Sequence, residues 1–452
     1  MVYFIRFELK ILLAIGIMLG TILSPLQQVF ADEVQIDPKQ SDPKQSDPKQ
    51  SDPKQSDPKQ SDPKQSDPKQ SDPKRVQIKM GEYLFYASGC QTCHTADNGK
   101  FLAGGRGFKI KNQGTVYASN ITPDPETGIG RYTDDEFVSA LRDGVGYKGR
   151  SLNPVMPYSA YRLMDRDQIL AIKAYLDQQP AVVNKVIKGT VTVPAGNQNN
   201  NTNDSFEEDP QKSAKWNRGK FLVEGPGHCA SCHSSTDGVK GKTPDYSGSI
   251  VNGWVAYNIS SDGDTGIGSW SDKDLQQYLS KGYVEGHGAA VGPMAKLIND
   301  GLSHLSQEDI RAMVVYLRSL PPQEKGEAPA NIPVEELQNT EPSHSHGSHL
   351  FAALCASCHL DNGAGRQGEY ESLWGSKTAT LTQGTNLIKV ILEGSELKDS
   401  KLGSFSMPGF KDGYSDQDIA DIANYVIAHF GNRNGHVTVE QVKKERALLN
   451  MK

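Results

Sequence analysis

Three tandem, mostly helical domains are what this 452-residue sequence predicts: an all-α chain built by repetition. Three observations point there. A Cys-x-x-Cys-His cluster occurs at Cys90, Cys93 and His94, at Cys229, Cys232 and His233, and at Cys355, Cys358 and His359, using all six cysteines. Each cluster is followed by a segment opening on a cap-like Asp or Ser with apolar residues at helical spacing, "DRDQILAIKAYL", "SQEDIRAMVVYL" and "SDQDIADIANYV". Polar, Pro- and Gly-bearing stretches separate the clusters, and the length itself suits roughly three domains.

At the amino terminus, Arg6 and Lys10 precede an apolar run from Ile11 to about Leu23, and "VFA" ends at Ala31. That order predicts a secretory signal cleaved after Ala31, because the run is shorter than the ~20 residues a spanning helix needs. An uncleaved membrane anchor is the alternative. Export places the chain in an oxidising compartment, where unpaired cysteines tend to form disulfides unless they have another use.

Next comes a repeated pentapeptide, "SDPKQ", which supplies equal numbers of Asp and Lys and no apolar side chain. Such a run cannot offset its ordering entropy and is expected to be disordered, with its prolines favouring extended conformations. The organisation is then a signal at 1–31, a repeat linker at 32–76, and domains at 77–181, 212–322 and 343–431. Linkers at 182–211 and 323–342 join them, and a tail occupies 432–452. His344, His346 and His349 lead into the third domain, either as a loose metal-binding tract or as ordinary linker residues. The tail could form a short helix with Val439, Val442 and Leu449 near one face, suited to a membrane surface or a partner.

The first two domains are duplicates. "SNITPDPETGIGRYTDDEF" answers to "YNISSDGDTGIGSWSDKDL", and Asn120, Gly128 and Met156 recur as Asn258, Gly266 and Met294 at one constant offset. The shared "TGIG" reads as a tight turn into a capped helix. The third domain keeps only the skeleton.

Cys-x-x-Cys-His is the attachment signature of c-type haem, with two thiols for the porphyrin vinyl groups and the histidine for the iron. Zinc would need a fourth ligand, and a redox dithiol would not require His after it three times. Three covalently bound haem c groups are therefore expected on Cys90/Cys93, Cys229/Cys232 and Cys355/Cys358. The first domain has no histidine besides His94, so a protein ligand on the far side of its iron must be Met156 or something weaker. Met294 and Met407 stand at similar distances in their domains, and each of the three adjoins a proline that would stiffen a loop before the final helix. Expected axial pairs are His94 with Met156, His233 with Met294, and His359 with Met407. Core packing is the competing role for these methionines and fits Met164 and Met313 better. His287 and His304 are rival ligands in the second domain. A net charge of −6 offers no basic patch for nucleic acid.

Each unit resembles a class I cytochrome c domain. Gly81 with Phe85, Gly219 with Phe221 and Gly347 with Phe351 match that family's opening helix, and Tyr175, Tyr316 and Tyr425 its closing helix. Three in tandem, with "NITPDPETGIGRYTDDEF" and "NPVMPY", resemble the triheme cytochrome c subunit of bacterial membrane-bound alcohol, gluconate, sorbitol and fructose dehydrogenases. The resemblance implies a flavoprotein or quinoprotein dehydrogenase subunit as partner, using FAD or pyrroloquinoline quinone. Electrons would pass through the haems to ubiquinone on the periplasmic side of the cytoplasmic membrane, whose surface the chain would meet. No flavin, nicotinamide or acid–base constellation is visible in the residues, so the chain on its own is not expected to turn over the organic substrate. A soluble periplasmic carrier feeding a terminal oxidase is the alternative; a haem peroxidase would need an open iron.

Overall fold

A computed structural model describes residues 72–110, 113–191, 205–235, 244–329, 344–366, 371–399 and 403–449. The signal, the pentapeptide run through residue 71 and parts of both linkers lie outside the described residues.

Each unit is framed by two crossing helices. Pro73–Ala87 crosses Arg166–Leu176, Ala214–Glu224 crosses Gln307–Arg318, and His346–Leu354 crosses Asp416–Gly431. The crossing is close because glycine sits at it. A side chain at Gly81 would run into the Ala171 carbonyl oxygen, one at Gly219 into that of Ala312, and one at Gly347 into that of Asp421. Four residues beyond each of those carbonyls stands the expected tyrosine. Tyr175 lies 5.0 Å from the Phe85 ring and Tyr425 5.3 Å from Phe351. The second unit differs: Val223, fully buried, follows Gly219 by four residues, and Tyr316 packs edge-on against Trp216 at 5.2 Å. Phe221 instead meets Phe206.

Caps set the helix starts. Asp165 and Gln168 form a capping box, as do Ser415 and Asp418, while Ser306 caps the middle closing helix. Thr133 with Glu136 and Ser271 with Asp274 do the same for the two helices after the duplicated "TGIG" turns, as expected. In those turns Asn120 donates to Thr127 and Val182, and Asn258 to Thr265 and Gln323. Asp124 and Asp262 each accept from the amide and hydroxyl of the same threonine, Thr127 or Thr265. These side chains tie each turn to the strand of chain leaving the unit, which is a structural task.

The all-α expectation needs one correction. Among the described residues there are five separate two-stranded antiparallel sheets. One of them pairs Ser249–Val251 with Trp254–Ala256 around Asn252 and Gly253, both at positive φ. Asn-Gly is the dipeptide that a tight hairpin of this twist selects, so the signal was present in "VNGW".

The units are not independent beads. The first and second share one continuous apolar core, running from Phe85 and Met164 to Ile298 and Met313. Tyr86 stacks on His304 at 3.9 Å, and the Gln91 amide donates to Asp300 at 3.1 Å. The third unit has its own core around Phe351, Ile388 and Ile427. Its join to the second mixes apolar and polar contacts: Leu397 is buried in the core of the first two units and Tyr283 meets Phe405 edge-on, while Asn386 exchanges hydrogen bonds with both backbone groups of Val255 and Lys389 lies over the Trp254 ring.

The tail helix, Val439–Leu449, closes the third unit. Val442 is fully buried, Leu449 packs against the same core, Glu445 pairs with the buried Lys389, and Arg446 holds Asp416. The expectation of a free apolar face is therefore corrected for Val442 and Leu449; Val439 alone of the three is exposed. Among the described residues no helix is long and apolar enough to cross a membrane.

Candidate haem-attachment sites

Every Cys-x-x-Cys-His cluster folds as one helical turn. These are Cys90–His94, Ala230–His233 capped by Cys229, and Ala356–His359 capped by Cys355. On one turn the two cysteines point along neighbouring directions while the histidine leaves from the end. None of the six cysteines is paired in a disulfide. Burial pushes Cys90 and Cys229 up to about 12, and Cys232 and Cys355 to about 11, so these thiols stay neutral. Structural zinc needs four ligands converging on one point. Among the described residues no three His, Cys, Asp or Glu side chains converge in that way.

The three histidines share one hydrogen bond. Nδ1 of His94 lies 2.7 Å from the Ser119 carbonyl oxygen, that of His233 2.6 Å from Tyr257, and that of His359 2.5 Å from Glu371. A carbonyl can only accept, so each ring carries its proton on Nδ1 and presents the Nε2 lone pair. Burial also lowers the pKa of His94 and His233, keeping those imidazoles neutral as a metal ligand must be.

A common backbone loop supplies these acceptors. The amides of Gly104, Gly248 and Gly365 donate to the carbonyls of His94, His233 and His359. Two residues earlier, Leu102, Tyr246 and Gly363 all adopt positive φ, and their carbonyls accept from Ile121, Ile259 and Leu373. The third unit, whose sequence kept only the skeleton, thus retains the whole loop. Sequence reasoning missed these acceptors because a backbone carbonyl has no residue signature; the Asn120/Asn258 duplication was the nearest signal, one residue away.

The three methionines are half-buried, whereas Met164 and Met313 are fully buried in the core, as expected. Met156 keeps the expected loop setting, whereas Met294 and Met407 do not. Met156 stands in a turn, its amide bonded to Asn153. Met294 is in the first turn of Gly292–Asp300, and Met407 ends the strand Gly403–Met407. The rival histidines are engaged elsewhere: His287 stacks on Trp270 at 3.8 Å and His304 on Tyr86. Of the linker histidines, His346 pairs with Asp418.

The residues fit a covalently attached haem c. Paired neutral thiols on one turn and an oriented Nε2 are the required donor set. Beside the first motif, the Nε of Arg106 is buried with no hydrogen-bond partner, suited to an anionic substituent such as a porphyrin carboxylate.

Comparison with known proteins agrees. Residues 216–321 match the cytochrome c family, and residues 342–426 match the family described as cytochrome c oxidase, cbb3-type, subunit III. The fructose dehydrogenase cytochrome subunit of Gluconobacter japonicus is 33% identical over 410 residues, covering 82% of this chain and 83% of that one. This chain belongs to the cytochrome c subunits of dehydrogenases. The cytochrome c subunit of the quinone-type alcohol dehydrogenase of Gluconobacter oxydans is also 33% identical, over 394 residues and 82% of each chain. The gluconate 2-dehydrogenase cytochrome c subunit of Pantoea cypripedii is 31% identical over 392 residues, covering 78% of this chain and 86% of that one. For a dehydrogenase cytochrome c subunit, covalent haem c and electron relay are the common ground of these relatives, and a catalytic dehydrogenase is the partner they imply.

Proposed function

We propose that the chain carries three haem c groups and relays electrons from a flavoprotein or quinoprotein dehydrogenase subunit to ubiquinone at the periplasmic face of the cytoplasmic membrane. When bound, each haem supplies one-electron ferric–ferrous chemistry. Cys90/Cys93, Cys229/Cys232 and Cys355/Cys358 hold the groups, and His94, His233 and His359 orient toward the irons. Met156, Met294 and Met407 would each supply a second protein ligand to an iron, which would raise the potential and leave no position for substrate.

The observation that carries this reading is the identical histidine-to-carbonyl hydrogen bond in all three units. A single motif could be vestigial; three with the same oriented imidazole favour three working sites. The join between the first two units supports a relay. Gln91, inside the first motif, is bonded to Asp300 at the end of the helix bearing Met294, so the two sites share a wall.

The test is to place an affinity tag after Lys452, solubilise native membranes gently and identify what co-purifies. A flavoprotein or quinoprotein dehydrogenase in fixed ratio is the expected result. A lone cytochrome in the soluble fraction would establish a diffusible carrier and overturn the subunit reading.

A further inference from the structure

The carbonyl that orients the ligand histidine belongs to Ser119 in the first unit and Glu371 in the third, but to Tyr257 in the second. Tyr257 carries a ring out of its own unit. Its hydroxyl receives the Asn386 amide at 3.0 Å and lies 3.3 Å from Thr378 Oγ1, both from the third unit. Beside Thr378, Lys377 extends over the Tyr257 ring with its ammonium 5.8 Å from the centroid. That ammonium donates to the Thr265 carbonyl at 2.5 Å and the Gly266 carbonyl at 3.3 Å, in the "TGIG" turn of the second unit.

The third unit thus inserts a cation into the second, behind the residue that holds His233. We propose that Lys377 is a positioning residue that sets the reduction potential of the second haem site, an inference resting on the haem-attachment reading. Reduction adds one negative charge at the iron. A cation held in a poorly screened interior stabilises that added charge and raises the potential. Burial pushes Lys377 down to about 8, with Asp262 opposing, so it remains mostly protonated at neutral pH.

The experiment is a redox titration of the full-length, haem-loaded protein followed by absorbance. Lys377→Gln keeps a donor for Thr265 and Gly266 but removes the charge. It is expected to lower one midpoint potential, the same component that Met294→His displaces, and to leave the others in place. Lys377→Arg is expected to restore that component. A fully loaded Lys377→Gln protein with wild-type potentials, or one in which all components fall together, would overturn the inference. Should Lys377→Gln fail to fold, a fully loaded Lys377→Met protein with wild-type potentials would overturn it. Absence of covalent haem at Cys229 and Cys232 in the wild type would instead overturn the haem reading itself.

Discussion

The phenol of Tyr83, in the first unit, donates a 2.5 Å hydrogen bond to Asp309 in the second, a carboxylate that Arg218 also grips with Nε at 2.8 Å and a terminal nitrogen at 2.7 Å. Burial raises the Asp309 pKa, but the Arg218 guanidinium and the Tyr83 hydroxyl outweigh it and hold the carboxyl below its ordinary value. Asp309→Ala leaves both donors without their acceptor. It should cost about 2 kcal/mol, as for a hydrogen bond to a charged group. A denaturant melt checks this, and a loss below about 0.5 kcal/mol would mean the joint is ornamental.

Gly347 is the point where the third unit's frame closes, since a methyl group there meets the Asp421 carbonyl oxygen. Gly347→Ala must push apart two helices that otherwise interlock. A cost on the order of 1–3 kcal/mol is expected from such overpacking. Because that unit has its own core, differential scanning calorimetry should show its transition falling while the joint transition of the first two units stays.

Acid should loosen the same unit. The His346 imidazole, and then the hydroxyl and amide of Ser415, hold Asp418 at about 2, below its ordinary 3.8. A depressed carboxylate contributes stability that is fully present above the unfolded pKa and is lost as pH falls through the folded one. The contribution should therefore fade between pH 3.8 and about 2. Asp418→Asn should flatten the profile in that window; an unchanged profile would show that other groups govern it.

Much of this was legible in the residues and some was not. Paired cysteines with an adjoining histidine, Gly81, Gly347 and the tyrosines of the closing helices announce themselves because each place accepts few side chains. Ser306 and Ser415 mark helix starts for the same reason. The acceptors Ser119, Tyr257 and Glu371 were invisible, since the group that matters is a carbonyl every residue has. Hidden too was the apolar core shared by the first two units: apolar periodicity shows that a helix face is buried but not by which neighbour. Val442 and Leu449 illustrate the limit, because an apolar stripe in the tail reads equally well as a membrane face or as a seal on the third unit.

Replacing Met156, Met294 or Met407 singly by Ala should lower one haem's potential and leave two in place. Loss of the thioether removes the ligand that favours the reduced state. Redox titration of each loaded variant checks this. Unmoved potentials in all three would return these methionines to surface packing.

The most direct test of the relay uses the complex isolated from membranes. Its dehydrogenase substrate is added anaerobically, followed by a soluble ubiquinone, while haem absorbance is recorded. The expected result is reduction of all three haems by substrate and their reoxidation by the quinone. Haems that stay oxidised while the dehydrogenase reduces an artificial acceptor would contradict the relay.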